Sequence, residues 1–243
     1  MRDSSKAKVL LFDLELSPNI GYSWGGKWEV NVLEFVREWQ IISVAWKWLG
    51  EKTTHCLCLY DFKDSNDKQL VARIHELFME ADVLVAHNGQ SFDFKKANAR
   101  FVYHKMKPMK QLPIIDTKLV ARKHFSFNSN SLDDLGKHLG LGRKIKTEGF
   151  DLWLKCLAND PAAWKRMKAY NTQDVELLER VYQRLSPWIQ NHPNIALMRE
   201  RDGCPNCGHD KMRSEGIRCT QTRRYRRLQC QNCFSWHKGE IVK

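Results

Sequence analysis

The 243-residue chain carries 40 lysines and arginines against 28 aspartates and glutamates, for a formal net charge of +12, and is 42% hydrophobic and 28% charged. That balance excludes a disordered or collagen-like chain and suffices for one full-sized domain plus a small one. No apolar run approaches the roughly 18–20 residues a membrane-crossing helix needs, and the N-terminal stretch, with four apolar residues before Asp13, reads as neither a signal peptide nor an anchor.

The first predicted element is a strand over residues 8–16 (KVLLFDLEL), apolar but for two acids and stopped by Ser17-Pro18-Asn19. Strands follow over 40–48, 53–60, 83–86 and 113–115. Ahead of the 83–86 strand, Leu70, Ile74, Leu77 and Phe78 recur at helical spacing on one face, and 92–103 and 117–125 also read as helices. Asp160 is a good N-cap and Pro161 suits the first helical position. A long helix therefore runs from there through Trp164, Met167, Tyr170, Asp174, Leu177, Leu178 and Val181 to about Leu185, closed by Ser186-Pro187. Residues 191–194 (NHPN) mark a linker, and a second, smaller domain starts near residue 200. Strands first, then strands alternating with helices, specify an α/β fold: a mixed sheet with helices packed on it.

Three places on this outline carry acids that ask for an explanation. Asp13 and Glu15 are two apart on a strand, so both project from one face. Burying them side by side requires a cation to offset their repulsion, and a divalent metal serves because hard cations take oxygen ligands; a polar strand end facing water is the alternative. Asp93 follows a strand end at His87 and a glycine-containing loop; alone it fits an acid at the positive end of the next helix, with His87 a packing histidine. Tyr170 and Asp174, four apart, lie one turn above each other on the face that carries Met167, Leu177 and Val181. An acid in a core stripe needs a partner.

The order DxE, NxxxFD, YxxxD resembles the three motifs of the ribonuclease-H-like 3′→5′ exonucleases of the DEDD superfamily. A tyrosine, not a histidine, four residues before the last acid is similar to the tyrosine branch (DEDDy), which includes proofreading domains of replicative polymerases and ribonuclease D. The resemblance spans roughly residues 7–187, and the segments NIGYSWG and SNSLDDLGKHLGLG are similar to small stand-alone exonucleases encoded by bacteriophages. It implies a ribonuclease-H-like mixed β-sheet flanked by helices. It further implies that Asp13, Glu15, Asp93 and Asp174 hold two Mg²⁺ or Mn²⁺ ions, with Asp13 bridging both and Tyr170 orienting the attacking water, with help in its deprotonation as a further role. The chemistry agrees, since phosphodiester hydrolysis needs an activated water and a stabilised leaving oxygen, which paired divalent ions supply together. A basic chain around an acidic site also suits a polyanionic substrate: the surface attracts it and the metals invert the local sign.

Neighbouring features read more plainly. Asp116 is an N-cap, Asp133 and Asp134 are helix-start acids after Ser131, and 142–146 (GRKIK) is a solvated basic loop with phosphate contact as the alternative. Trp24 and Trp28 read as packing residues, with base stacking as the alternative.

The eight cysteines are unevenly placed: Cys56, Cys58 and Cys156 are scattered, whereas Cys204, Cys207, Cys219, Cys230 and Cys233 crowd the last 40 residues. The CxxC pairs Cys204/Cys207 and Cys230/Cys233, separated by 22 residues, have the spacing of a tetrahedral Cys₄ zinc site. A tail too short for a substantial core gains most from such a staple. The module is similar to a zinc ribbon, with Cys219 a plain thiol and His209 and His237 lesser candidates for a ligand place. Paired CxxC units point to a reducing compartment, the bacterial cytoplasm, and a phage origin would accord with the resemblance. From residue 200 onward ten basic residues face five acidic ones. Strand alternation puts Arg224 and Arg226 on one face and Arg223, Tyr225 and Arg227 on the other, a pattern suited to backbone binding and stacking; a solvated charged edge is the alternative.

Two domains are expected: 1–192, a ribonuclease-H-like 3′→5′ exonuclease domain, and 200–243, a zinc-ribbon nucleic-acid-binding domain. The expected reaction is metal-dependent hydrolysis from the 3′ end of DNA, with RNA also open, and the expected partner is nucleic acid and no membrane. Two competitors are a transposon-type endonuclease, which would cut a circular strand, and a non-catalytic nucleic-acid-binding protein, for which four acids would be surplus.

Overall fold

The computed structural model describes residues 7–25, 31–62 and 66–242. Its first half contains β1 (Val9–Leu16), β2 (Ile20–Tyr22), β3 (Glu34–Arg37), β4 (Ile41–Trp48), β5 (His55–Cys58), α1 (Lys68–Glu80), β6 (Val83–Ala86) and α2 (Asp93–Tyr103). The rest contains β7 (Ile114–Asp116), α3 (Thr117–His124), α4 (Leu132–His138), α5 (Phe150–Leu157), α6 (Pro161–Leu185), β8 (Met212–Cys219), β9 (Arg224–Cys230) and β10 (Trp236–Val242). Strands β5-β4-β1-β6-β7 form one mixed sheet in that order, with β4 antiparallel to β1 and β5, and β6 parallel to β1 and β7. Strands β8, β9 and β10 form a separate antiparallel sheet, and β2 pairs with β3 in a short hairpin. Among the described residues no helix is long and apolar enough to cross a membrane.

Alternation along β1 decides where the helices pack. Leu10, Phe12 and Leu14 face a core shared with Leu70, Ile74 and Phe78 of α1 and Ala97 and Phe101 of α2. Val9 and Leu11 face the other way, onto Leu177, Leu178 and Val181 of α6. β4, covered on both faces, is buried along its whole length. Its α6-facing positions match the helix pitch: Ser43 Oγ donates to Asn171 Oδ1 at 2.8 Å, and Lys47 Nζ donates to Glu179 Oε2 at 2.6 Å. Four strand residues rise about 13 Å and eight helical residues about 12 Å, so both contacts form together. At the start of α6, Asp160 Oδ1 accepts from the N–H of Ala162 at 2.9 Å and Pro161 takes the first helical position, as the sequence predicts.

Two elements lie outside the sequence expectations. α5 follows Gly149, which offers no side-chain cap, so nothing marks its start. The strands of the β2–β3 hairpin are three and four residues long and exposed throughout, which leaves no alternation to detect. The strand expected over 53–60 is shorter, because Leu59–Asp61 turn into a 3₁₀ helix.

The C-terminal sheet is seated on the end of α6. Asn206, between the first two clustered cysteines, is buried, and its Nδ2 donates to Ser186 O at 2.6 Å and Ile189 O at 3.3 Å. Ile195 N donates to Pro205 O at 3.0 Å. His192, in the stretch read as a linker, is buried and shares a 2.8 Å hydrogen bond with Tyr182 of α6.

Candidate active site

Beyond Val9 and Leu11, the next two positions on the α6-facing side of β1 are Asp13 and Glu15. α6 meets them with Asp174, and oxygens of these three carboxylates lie within 4.8 Å of one another. The apolar stripe shared by strand and helix thus turns acidic at one end of the sheet. Asp93 approaches from the start of α2. The parallel β1–β6 ladder ends at Leu11↔Val85, which leaves Leu14 without a strand partner on that side, and Asp93 Oδ1 accepts its N–H at 3.2 Å. Asp93 therefore stands beside the tight three-carboxylate group rather than inside it.

Three more α6 and loop residues complete the arrangement. Asn171, fully buried, donates from Nδ2 to Asp13 Oδ2 at 2.7 Å and accepts at Oδ1 from Ser43, which fixes its amide and hence the Asp13 carboxylate. Lys144 Nζ lies 2.7 Å from Asp174 Oδ2 and 5.1 Å from the centre of the Tyr170 ring. No hydrogen bond of normal geometry from a described residue reaches Asp174 Oδ1, although that atom is buried.

Burial, and then mutual repulsion, controls the electrostatics. Asp13 is held well above the usual carboxylate range by burial and then by Asp93, Glu15 and Asp174. Burial and then Asp174 push Glu15 up to about 8. Asp93 is raised to about 6, mainly by burial, and Asp174 is raised by burial against the opposing pull of Lys144. Burial disfavours the charge on Lys144, but Asp174 outweighs it and raises the pKa. The Tyr170 hydroxyl is raised by burial and by the charges of Asp174 and Glu15, which keeps it a phenol. A crowded set of carboxylate oxygens, one of them buried without a hydrogen-bond partner, has the donor chemistry of a site for hard divalent cations such as Mg²⁺ or Mn²⁺.

The clustered cysteines form a second, chemically distinct group. Cys204, Cys207, Cys230 and Cys233 bring their sulfurs within 4.8 Å of one another, with Cys204–Cys233 and Cys207–Cys230 each at 3.6 Å. Four thiolates about 2.3 Å from one zinc ion would be spaced about 3.8 Å apart, so the cluster fits a closed tetrahedral site. Ser235 Oγ lies 3.2 Å from Cys204 Sγ and 3.0 Å from Cys233 Sγ, while His237 Nε2 lies 3.5 Å from Cys204 Sγ and 2.7 Å from Ser235 Oγ. His237 is thus a neighbour of the cluster, and Cys219 is an exposed thiol.

Residues 38–186, more than half of the chain, match the family model of the RNase_H superfamily. The chain belongs to the RNase_H superfamily. The matched segment begins after β1, so Asp13 and Glu15 lie outside it and are known here from their geometry. No curated protein sequence matches this RNase_H-superfamily chain. Its fold is similar to that of the family B DNA polymerase from the hyperthermophilic archaeon Pyrobaculum calidifontis, with a TM-score of 0.57 and 16% identity over 79% of this chain and 26% of the polymerase. The chain spans about a quarter of the polymerase's length, and the likeness is one of fold. The RNase H-like mixed sheet flanked by helices, expected from the motifs, is the observed architecture.

Within this RNase_H-superfamily fold, several plain readings hold. Asp116 caps α3 by accepting from Lys118 N and Leu119 N, and also accepts from Asn88 N and Gln90 N. His87 packs with Nδ1 2.9 Å from Thr117 Oγ1 and Nε2 3.0 Å from Asn130 O. Asp133 and Asp134 open α4 behind the Ser131 cap, as read. The solvated-loop reading of 142–146 fails at Lys144, because the loop runs along α6 and delivers that lysine to Asp174; Arg143 does stay outside, paired with Asp133 at 2.6 Å. Trp24 is 92% exposed among the described residues, contrary to its packing reading, and Trp28 lies outside them. Asn171 was not singled out from sequence. Its signal is positional: it stands four residues after Met167 and three before Asp174, a polar residue in a buried stripe.

In the C-terminal sheet, Arg226 Nε donates to Glu240 Oε1 at 2.8 Å. Arg227 Nε donates to Glu215 O at 2.8 Å while its guanidinium lies 4.9 Å from the Trp236 ring. Lys238 sits 5.2 Å from the ring of Tyr225. Arg224 is exposed at the start of β9, and Arg223 is exposed just ahead of it.

Proposed function

We propose that the protein is a metal-dependent 3′→5′ exonuclease that hydrolyses phosphodiester bonds of DNA, or RNA, with two Mg²⁺ or Mn²⁺ ions. The observation that carries this reading is the convergence of Asp13, Glu15 and Asp174, with Asp93 beside them, at the end of a sheet in a basic RNase_H-superfamily chain. Asp13, Glu15, Asp93 and Asp174 would hold the ions, which when bound supply an activated water and charge for the leaving oxygen. The chain's own residues do the positioning. Asn171 fixes the Asp13 carboxylate, and Lys144 favours the ionised form of Asp174. Tyr170, kept protonated by burial and by its acidic neighbours, presents a hydroxyl that orients the water rather than taking its proton. The order of the DxE, NxxxFD and YxxxD motifs supports the 3′→5′ direction and the tyrosine-branch assignment.

In the same reading, residues 1–192 are the nuclease domain and 200–243 a zinc ribbon held by Cys204, Cys207, Cys230 and Cys233. Arg223, Arg224, Tyr225, Arg226 and Arg227 lend the ribbon a basic, partly aromatic surface for the strand. The test is incubation of end-labelled single- and double-stranded DNA and RNA oligonucleotides with Mg²⁺ or Mn²⁺. Stepwise shortening that requires the metal is expected; intact strands under all conditions would refute the reading.

A further inference from the structure

The two cysteine turns are near copies of each other. Gly208 N donates to Cys204 O at 2.8 Å and Phe234 N donates to Cys230 O at 3.1 Å; Cys204 N donates to His209 O at 2.8 Å and Cys230 N to Ser235 O at 3.0 Å. In both turns the residue after the second cysteine is left-handed, with φ of 71° at Gly208 and 61° at Phe234. Glycine adopts that conformation freely, whereas a bulky aromatic is strained in it. Phe234 is also 65% exposed, so no burial of its ring offsets the strain. A strained, exposed aromatic side chain is a candidate for contact with something outside the chain.

Phe234 lines a cleft of about 560 Å³ between the ribbon and the C-terminal half of α6, together with Leu49, Arg180, Arg184, Pro187 and Asn206. Arg180 brings a guanidinium to it, whose Nε is buried and has no hydrogen-bond partner among the described residues. Leaving such a group without an acceptor is costly, and a phosphate offers the paired oxygens that a guanidinium fork fits. Arg184 follows one turn later on the same helical face. Both stand on the helix that carries Asp174, about 9 and 15 Å further along its axis. The 142–146 loop bridges the interval, since Gly142 lies beside the Arg180 guanidinium, Arg143 O accepts from Gln173 at 3.3 Å and Lys144 reaches Asp174.

We propose that this cleft is a second nucleotide subsite, in which Phe234 stacks on an unpaired base and Arg180, with Arg184 beside it, binds the phosphate backbone of the strand whose end lies at the carboxylates. The last clause rests on the nuclease reading; the binding itself does not.

The test uses the full chain and hydrolysis-resistant phosphorothioate oligothymidylates of about three to about twelve nucleotides, which bracket common single-strand site sizes. Phe234→Gly preserves the left-handed turn and removes only the ring. It should keep its zinc, melt at the same or a higher temperature, and yet bind the long strands roughly 10–100-fold more weakly. The shortest strands, which do not reach the cleft, should bind as tightly as before. Arg180→Gln should weaken long-strand binding and lower its salt slope by roughly 0.7, one phosphate contact. Inorganic phosphate and thymidine monophosphate serve as competitors. If either displaced the long strand as well as a second strand does, the cleft would be a free-anion site and the proposal would fall. Unchanged long-strand binding by Phe234→Gly, or a loss equal at all lengths, would also overturn it. A chain that hydrolyses nothing but shows the length-dependent loss keeps the subsite and refutes the nuclease reading. One that hydrolyses strands without that loss refutes the subsite alone.

Discussion

The carboxylate cluster and the cysteine cluster are assembled by opposite means. Asp13, Glu15, Asp93 and Asp174 are brought together from β1, α2 and α6, elements whose buried apolar positions are locked in cores on both faces of the sheet. There the scaffold stands first and the site is the unfavourable part, with four acids raising one another's pKa against a single lysine, Lys144. The cysteines come from two tight turns in a module whose strands are largely exposed and whose fully buried members include Cys204 and Cys230. There the cluster is itself the core. On the proposed function, one cluster is a site placed on a stable fold; the other is what a metal would use to hold a fold together.

The strongest way to break that contrast is to remove an acid. Asp13→Ala or Asp174→Ala should cut hydrolysis by on the order of 10³-fold or more, because each removes a carboxylate from the divalent-ion site. Strand binding, read by fluorescence anisotropy, should stay near the parent level, since the basic surface is untouched. Tyr170→Phe comes next. Loss of one positioned hydroxyl should cost roughly 10²–10⁴ in rate with metal affinity retained, and unchanged turnover would reduce Tyr170 to a packing residue.

The acids should also leave a signature in stability. In the metal-free protein Glu15 is pushed up to about 8 and Asp93 to about 6, burial being the main cause in both. The folded chain therefore keeps protons that the unfolded chain releases near pH ~4.5. The contribution of these groups is fully present below that pH and is lost as pH rises through about 6 for Asp93 and about 8 for Glu15. Thermal melts of the metal-free protein should fall across that window, and added Mg²⁺ should raise the melting temperature more near pH 8 than near pH 5, because the ion displaces those protons. A metal-free melting temperature that climbs with pH would contradict the arrangement. The smallest expected effect tests the junction. Asn206→Ala removes the donor to Ile189 O and one of two donors to Ser186 O, which keeps the N–H of Ile189, and should cost about 1–3 kcal/mol by denaturation, with the zinc content unchanged.

The strand that carries Asp13 and Glu15, the helix that carries Tyr170 and Asp174, and the four cysteines were all legible because each has local punctuation: a breaker after Leu16, a cap and proline at Asp160-Pro161, and CxxC spacing. Lys144 was not. In GRKIK it is one of three cations in a loop, and only the tertiary course of that loop along α6 selects it. Asn171 was hidden differently, as a single polar residue within an apolar stripe whose partner, Ser43, lies on β4. Nor could alternation in TRRYRR show that Arg226 and Arg227 are engaged within the ribbon, because Glu240 and Glu215 arrive from other strands. Pairings across long sequence separations leave little trace in local pattern.

The most direct test of the proposed activity compares one sequence in two forms. A 5′-labelled linear strand and its covalently closed circle are incubated with the protein and Mg²⁺, and the products are resolved over time. An exonuclease acting at the carboxylates shortens the linear strand stepwise from its 3′ end and leaves the circle intact. Linearisation of the circle, or release of the 5′ label as the first product, would contradict it.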